Sequence, residues 1–262
     1  MKITKELLKE KGACAAGYRD FLKEYPVDKY PDGVEYQELL DCCAEKDFSY
    51  GSWLLGAFGK TDEVRKIDGD LIVEKGIIFA GRLEVKGCIK AGGGIEAGWG
   101  IDVGGGIEAG FGIKADESIR AGLGIKAGYG IEAGWGIEAG GGIEAGDGIK
   151  AGNGIKAGLG IKAGNGIKAG LGIKAGYGIE AGWGIDAGNG IKAGNGIKAG
   201  LGIKAGWSIR AGDGIEAGDE FGIYAGLHFR ITNKTQRKII AKERPENIMC
   251  GEFEEKKDDA VR

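Results

Sequence analysis

The stretch "GIEAGGGIEAGDGIKAGNGIKAGLGIKAG", residues 136–164, decides the fold. It reduces to one hexad, Gly-Ile-[Lys/Glu]-Ala-Gly-x, in which only the charged position and the last position vary. Ile and Ala stand two apart, so in an extended strand they share one face and the charge between them points to the other. Gly-x-Gly then turns a corner. A three-residue strand followed by a three-residue corner is the unit of a parallel β-solenoid.

The charged position fixes how many hexads close one turn. From Lys90 to Glu216 every sixth residue is charged, and of the pairs 18 apart 15 of 19 are opposite in sign, against 12 of 20 for pairs 12 apart. Opposite charges on neighbouring strands attract and like charges repel, so three hexads, 18 residues, make a turn. The expected fold is mainly β, a triangular parallel β-solenoid of about nine turns with an N-terminal α-helical domain. At about 4.8 Å per turn the rod would be about 43 Å long. Each exposed pair is worth only about 0.2–1 kcal/mol, but a strand that slips one rung meets like charge, so the pattern holds register. Lys150 to Lys174 is a run of five basic residues, which predicts a positive belt, read as a solvated face.

Working outward, residues 1–62 read as a helical N-terminal domain or cap. "ITKELLKEKG" and "AAGYRDFLKEYP" have helical spacing, "VDKYPDG" is a turn, and "VEYQELLDCCAEK" and "SYGSWLLGAFGK" resume the helix. Residues 63–231 are the hexapeptide-repeat parallel β-helix, with a two-residue insertion at "DEFGIYAG" before Phe229 and Ile231 finish it. Residues 232–262 read as short capping strands around Ile239, Ile240, Ile248 and Met249, then a polar tail.

The last hexad position sits at the corner. Facing inward, its Asp, Asn and Glu residues would be buried without partners, so it is placed outside. Asn and Asp tolerate left-handed backbone and suit a tight corner on that account. The large apolar corner residues have no such excuse, and exposed apolar surface marks a binding site. Trp99, Phe111, Tyr129, Trp135, Tyr177, Trp183 and Trp207 are the candidate interaction surface. The competing reading is that each ring merely covers glycine backbone of a neighbouring turn.

No catalytic, cofactor-binding or metal-binding constellation stands out. The chain has one His, His228, and five scattered cysteines without a Cys-x-x-Cys. Cys42-Cys43 on an apolar helix face reads as core rather than nucleophile. No Thr lies between Thr61 and Thr232, which excludes the threonine ladders of ice-binding solenoids. A net charge of -3 argues against a generic nucleic-acid binder. The N-terminus lacks the apolar core of a secretion signal and no apolar run reaches membrane-spanning length, so a cytoplasmic protein with reduced thiols and no membrane contact is expected.

"IDGDLIVEKGIIFAGRLEVKGCIKAGGGIEAG", residues 67–98, resembles the core of bactofilins, polymer-forming bacterial cytoskeletal solenoids. The array over 76–227, with its "AGWGIEAG" and "AGYGIEAG" units and an N-terminal Gly12-Ala13-Cys14, Gly17, Phe21, Leu22 pattern, more closely resembles Gly-Ile-x-Ala-Gly hexapeptide-repeat proteins of bacteria and phages. The second resemblance implies a solenoid fold and a mobile-element origin. Together these readings give the expected function: a non-enzymatic protein-binding solenoid, an inhibitor of a host defence complex from a phage or mobile element, with no cofactor. The alternative is a self-assembling scaffold like bactofilins. The partner is a host complex or a second copy, the latter forming a homo-oligomer through the aromatic corners.

Overall fold

The computed structural model describes residues 1–227 and 234–256. From Val64 onward the chain winds into a three-sided parallel β-solenoid of about ten turns, its sheets holding nine, ten and eleven strands. Successive strands join the first, second and third face in rotation; Ile89–Ala91, Ile95–Ala97 and Ile101–Val103 make one circuit. Each strand pairs with the one 18 residues on, as in Ile119↔Ile137, Arg120↔Glu138 and Ala121↔Ala139. The triangular section and the 18-residue turn are those the charge pattern implies. The rod runs past the nine expected turns because Lys238–Ala241, Ile248–Cys250 and Glu252–Glu255 extend the second and third faces beyond the repeat.

The core is a thin prism of stacked Ile and Ala, all but sealed from solvent. Burial of each Ile side chain contributes about 1.5–3 kcal/mol, so these ladders are the principal source of cohesion. Outside, the first face alternates in sign without a break from Lys90 to Glu216. Several rungs close ion pairs there and on the other faces, among them Lys150–Glu132 at 2.7 Å and Lys198–Glu216 at 2.9 Å.

The corners correct one expectation. Among the described residues no non-glycine has positive φ, and of the corner glycines of the hexads only Gly226, after the insertion, does. Asn and Asp are therefore not there for left-handed backbone. Glycine after Ala is required by the closeness of the turn beneath: a Cβ on Gly146 would lie 1.9 Å from the Gly128 carbonyl oxygen. Where the repeat places Asp116 at that position, its N–H to Ala97 O bond lengthens to 3.4 Å, against 2.9 Å for Gly110 to Ala91. Corner residues carry the ladder too, as when Asn153 N–H donates to Trp135 O at 2.7 Å.

The two inserted residues are absorbed in a corner. Ile203 pairs with Ile223, 20 residues on, and Ala205 with Ala225, so that strand joins the second face in register; the next pairing, to Ile248–Cys250, shifts by a bulge at Ile223/Tyr224. His228, Phe229 and Ile231, and the tail from residue 257, lie outside the described residues.

Four helices precede the rod: α1 (Lys5–Glu10), α2 (Ala15–Glu24), α3 (Tyr36–Lys46) and α4 (Phe48–Phe58). They seat on the first strand of the second face, Ile77–Phe79. Gln37 from α3 closes its free edge: its Nε2 donates to Ile78 O at 2.7 Å and its Oε1 accepts from Ala80 N–H at 3.1 Å, as a peptide of a further strand would. Ile78, which points outward from the sheet, is buried under α3 and α4. Gly51 makes room for it, since a Cβ there would lie 2.2 Å from Ile78 Cδ1. Arg65 stands 4.6 Å over the Phe79 ring and pairs with Asp41 at 3.6 Å, at the N-terminal end of the core.

Candidate interaction surface

An 18-residue turn sorts the corner positions onto three ridges. Phe111, Tyr129 and Trp183 stand on the corner between the first and second faces. Trp99, Trp135 and Trp207 stand between the second and third, and Tyr177 between the third and first. The seven candidates do not form one patch. Trp99 is engaged within the chain: its Nε1 donates to Thr61 O at 2.8 Å and Lys60 Nζ lies 4.1 Å over its ring, so it clasps the linker from the helices. Trp207 accepts from Gly226 N–H at 2.8 Å through its carbonyl, beside the segment after the insertion.

Phe111 and Tyr129 are brought together. Their rings stack 5.4 Å apart at 14°, and they are 50% and 57% exposed. They wall a groove of about 1130 Å³ that follows the Gly-Ile line of the second face from Gly94 to Gly222. Seven rungs at about 4.8 Å make it about 34 Å long. Its opposite wall is the charged column Lys114, Glu132, Lys150, Lys168, Asp186 and Lys204.

Both ends of the groove come from outside the regular repeat. At the head, the Phe48 ring of α4 lies against the corner, where a Cβ on Gly76 would come within 2.6 Å of it. Below it Glu96 is 4% exposed and accepts hydrogen bonds from Ser52 Oγ and from Lys114 Nζ, the latter at 2.7 Å. That bond holds the Lys114 ammonium above the usual lysine range. At the foot stand Glu220, Phe221 and Tyr224, supplied by the insertion and the strand after it.

Sequence reasoning missed Phe48 and Phe221. The insertion that breaks the hexad period was the available signal for Phe221. For Phe48 there was none, because its place depends on how α4 docks. Leu123, 61% exposed, shares a ridge with Tyr177 and belongs with the exposed apolar corners as well.

The groove offers apolar contact and charge. The helical domain holds a second cavity of about 610 Å³, lined by Cys14, Cys42, Cys43 and Tyr25. Burial pushes the Cys43 thiol up to about 12, which keeps it protonated and unreactive. Among the described residues no cluster of His, Cys, Asp and Glu could hold a metal ion, and no helix is long and apolar enough to cross a membrane. No protein-family model, no curated protein and no solved structure matches the chain.

Proposed function

We propose that the protein is a non-enzymatic binding rod whose protein partner seats along the second-face groove. The observation that carries this reading is the half-exposed Phe111–Tyr129 stack at the mouth of that groove, beside α4. Rigid, exposed aromatic pairs are costly to leave in water and are the commonest anchors of protein interfaces. The resemblance to repeat proteins of bacteria and phages suggests the target: a cytoplasmic host defence complex, held inactive by a rod laid across its working surface. The test is capture from host lysate by wild-type protein and by F111A/Y129A. A partner retained by the first and lost by the second supports the reading; no partner specific to the wild type removes it.

Self-assembly is the second reading. It draws on the first strand of the first face, Leu71–Val73, which ends its sheet and whose Ile72 is 70% exposed. Gln37 caps the corresponding edge of the second face, which weighs against growth end to end. Light scattering and negative-stain microscopy separate the two, because a stable monomer ends the assembly reading.

A further inference from the structure

Between Lys90 and Glu216, like charges meet on neighbouring rungs at Lys150↔Lys168 on the second face and at three places on the third. The three are consecutive. Lys156, Lys174, Lys192 and Arg210 stack in register down one column. The belt expected from the run Lys150 to Lys174 thus divides among three faces, and the continuous positive feature runs along the rod axis instead. Lys156 pairs with Glu138 at 2.5 Å, while among the described residues Lys174, Lys192 and Arg210 have no ion pair. Like charges directly opposite one another destabilise a sheet. A chain that alternates sign without a break on its first face carries that cost on its third.

These four cations line a shallow trough of about 490 Å³ whose floor is the Gly-Ile line of the third face. Exposed apolar side chains flank it: Leu171 on one corner, Leu159 and Tyr177 on the other. The column spans three rungs, about 14 Å at about 4.8 Å each. Carboxylates one turn apart on an α-helix recur every ~5.4 Å. Over three steps the mismatch is about 2 Å, within reach of flexible lysines. Side chains on one face of an extended strand recur every ~6.7 Å and would overrun the column by about 6 Å. Phosphates of a duplex strand recur every ~3.4 Å along the axis and would fall short of the column by about 4 Å. A second copy of this chain supplies too little acid, because the longest acidic run on its own third face is Glu84 and Asp102.

We infer that the third face, between Lys156 and Arg210, is a docking site for an acidic amphipathic α-helix of a protein partner, its carboxylates on successive turns and its apolar residues against Leu171, Leu159 and Tyr177. The inference rests on reading the rod as a protein binder, and it names a second surface and the chemistry that surface recognises.

The test uses the full chain and three fluorescent probes: a helical peptide with Glu on successive turns, a peptide of the same composition in scrambled order, and a single-stranded oligonucleotide of equal charge. Anisotropy at about 0.05 and 0.2 M salt should show the patterned peptide binding at least 10-fold tighter than the scrambled one, and weakening as salt screens the column. The K174E/K192E variant should lose at least 10-fold, while K90E/K198E, an equal charge change on the first face, should lose less than 2-fold. K174E/K192E should melt no lower than wild type, because its two carboxylates would stand opposite Lys156 and Arg210 and leave one like-charged rung pair in place of three; this shows that lost binding is not lost folding. The inference is overturned if the oligonucleotide binds as tightly as the peptide, if both peptides bind alike, or if K174E/K192E binds unchanged. None of these outcomes touches the groove reading, which is measured on F111A/Y129A with a captured partner.

Discussion

At the scale of the residue, the constancy of glycine has a steric cause. Gly146 faces the Gly128 carbonyl oxygen at a distance a Cβ would reduce to 1.9 Å, whereas a Cβ on Gly148 would stand 3.1 Å from Gly166 O. The two glycines of one corner should therefore differ on substitution. Gly146→Ala is expected to cost about 1–3 kcal/mol, the range for forced overpacking, and Gly148→Ala under about 1 kcal/mol. Thermal unfolding followed by circular dichroism ranks them; equal melting temperatures would refute the steric account. The alternation of Ile, charge and Ala was fully legible from the sequence because its period is that of a strand. The reason for the glycines was not, since it depends on the distance between turns and only the stacked structure sets that distance. Thiol reactivity is a second residue-scale prediction. Cys14 and Cys88 are exposed and should react promptly with a disulfide reagent at pH 8, while Cys43, half-buried and held protonated, should react far more slowly until the protein unfolds.

At the scale of the element, the junction of α4 with the second face is where pH should act. The Lys114 ammonium gains the Glu96 bond on folding, so its folded pKa lies above its unfolded value. A group shifted in that direction contributes its full stabilisation below the unfolded pKa and loses it as pH rises through the folded one. Stability should thus be flat through neutral pH with respect to this pair and fall above about pH 10.5, the ordinary lysine value. Lys114→Met should flatten that alkaline limb while leaving Glu96 with Ser52 alone; an unchanged limb would show that the bond carries no weight. The helices themselves were legible from spacing and turn signals. Their seat was not. Gln37 reads as an ordinary surface residue of an amphipathic helix, and nothing in its neighbours announces that its amide will stand in for a missing strand. Phe48 lies hidden for the same reason: a docking geometry links residues that no local pattern connects. Ile78 gave a partial hint, an apolar residue at a position that is charged throughout from Lys90 to Glu216.

At the scale of the whole molecule, the rod is a repeat of rungs that each contact only their neighbours. Excising one complete turn, residues 142–159, joins Gly141 to Gly160 and keeps the hexad phase. The product should fold, with spin labels at positions 90 and 198 in a cysteine-free background drawn about 4.8 Å closer. A loss of folding instead would mean that cohesion depends on more than adjacent rungs. Sequence carried this level well, because charge mostly reverses sign every 18 residues and register follows from it. It carried the surface less well: the same period places Phe111 and Tyr129 together and Trp99, Trp135 and Tyr177 apart from them, and only the stacked turns and the docked helix make one of these ridges the wall of a groove.

The absorption of two extra residues at Asp219–Phe221 without loss of register has a consequence for how such a chain changes over time. Length and bearing are separate dials. Adding or losing hexads in threes lengthens or shortens the molecule and leaves every downstream side chain on its compass point. Adding or losing a single hexad leaves the core equally content but turns everything below it through about 120°, carrying the column of Lys174, Lys192 and Arg210 from one side of α4 to another. Irregular residues tucked into a corner do neither. A lineage of such chains can therefore re-aim a surface in one step, by slippage of six codons, without inventing a new one.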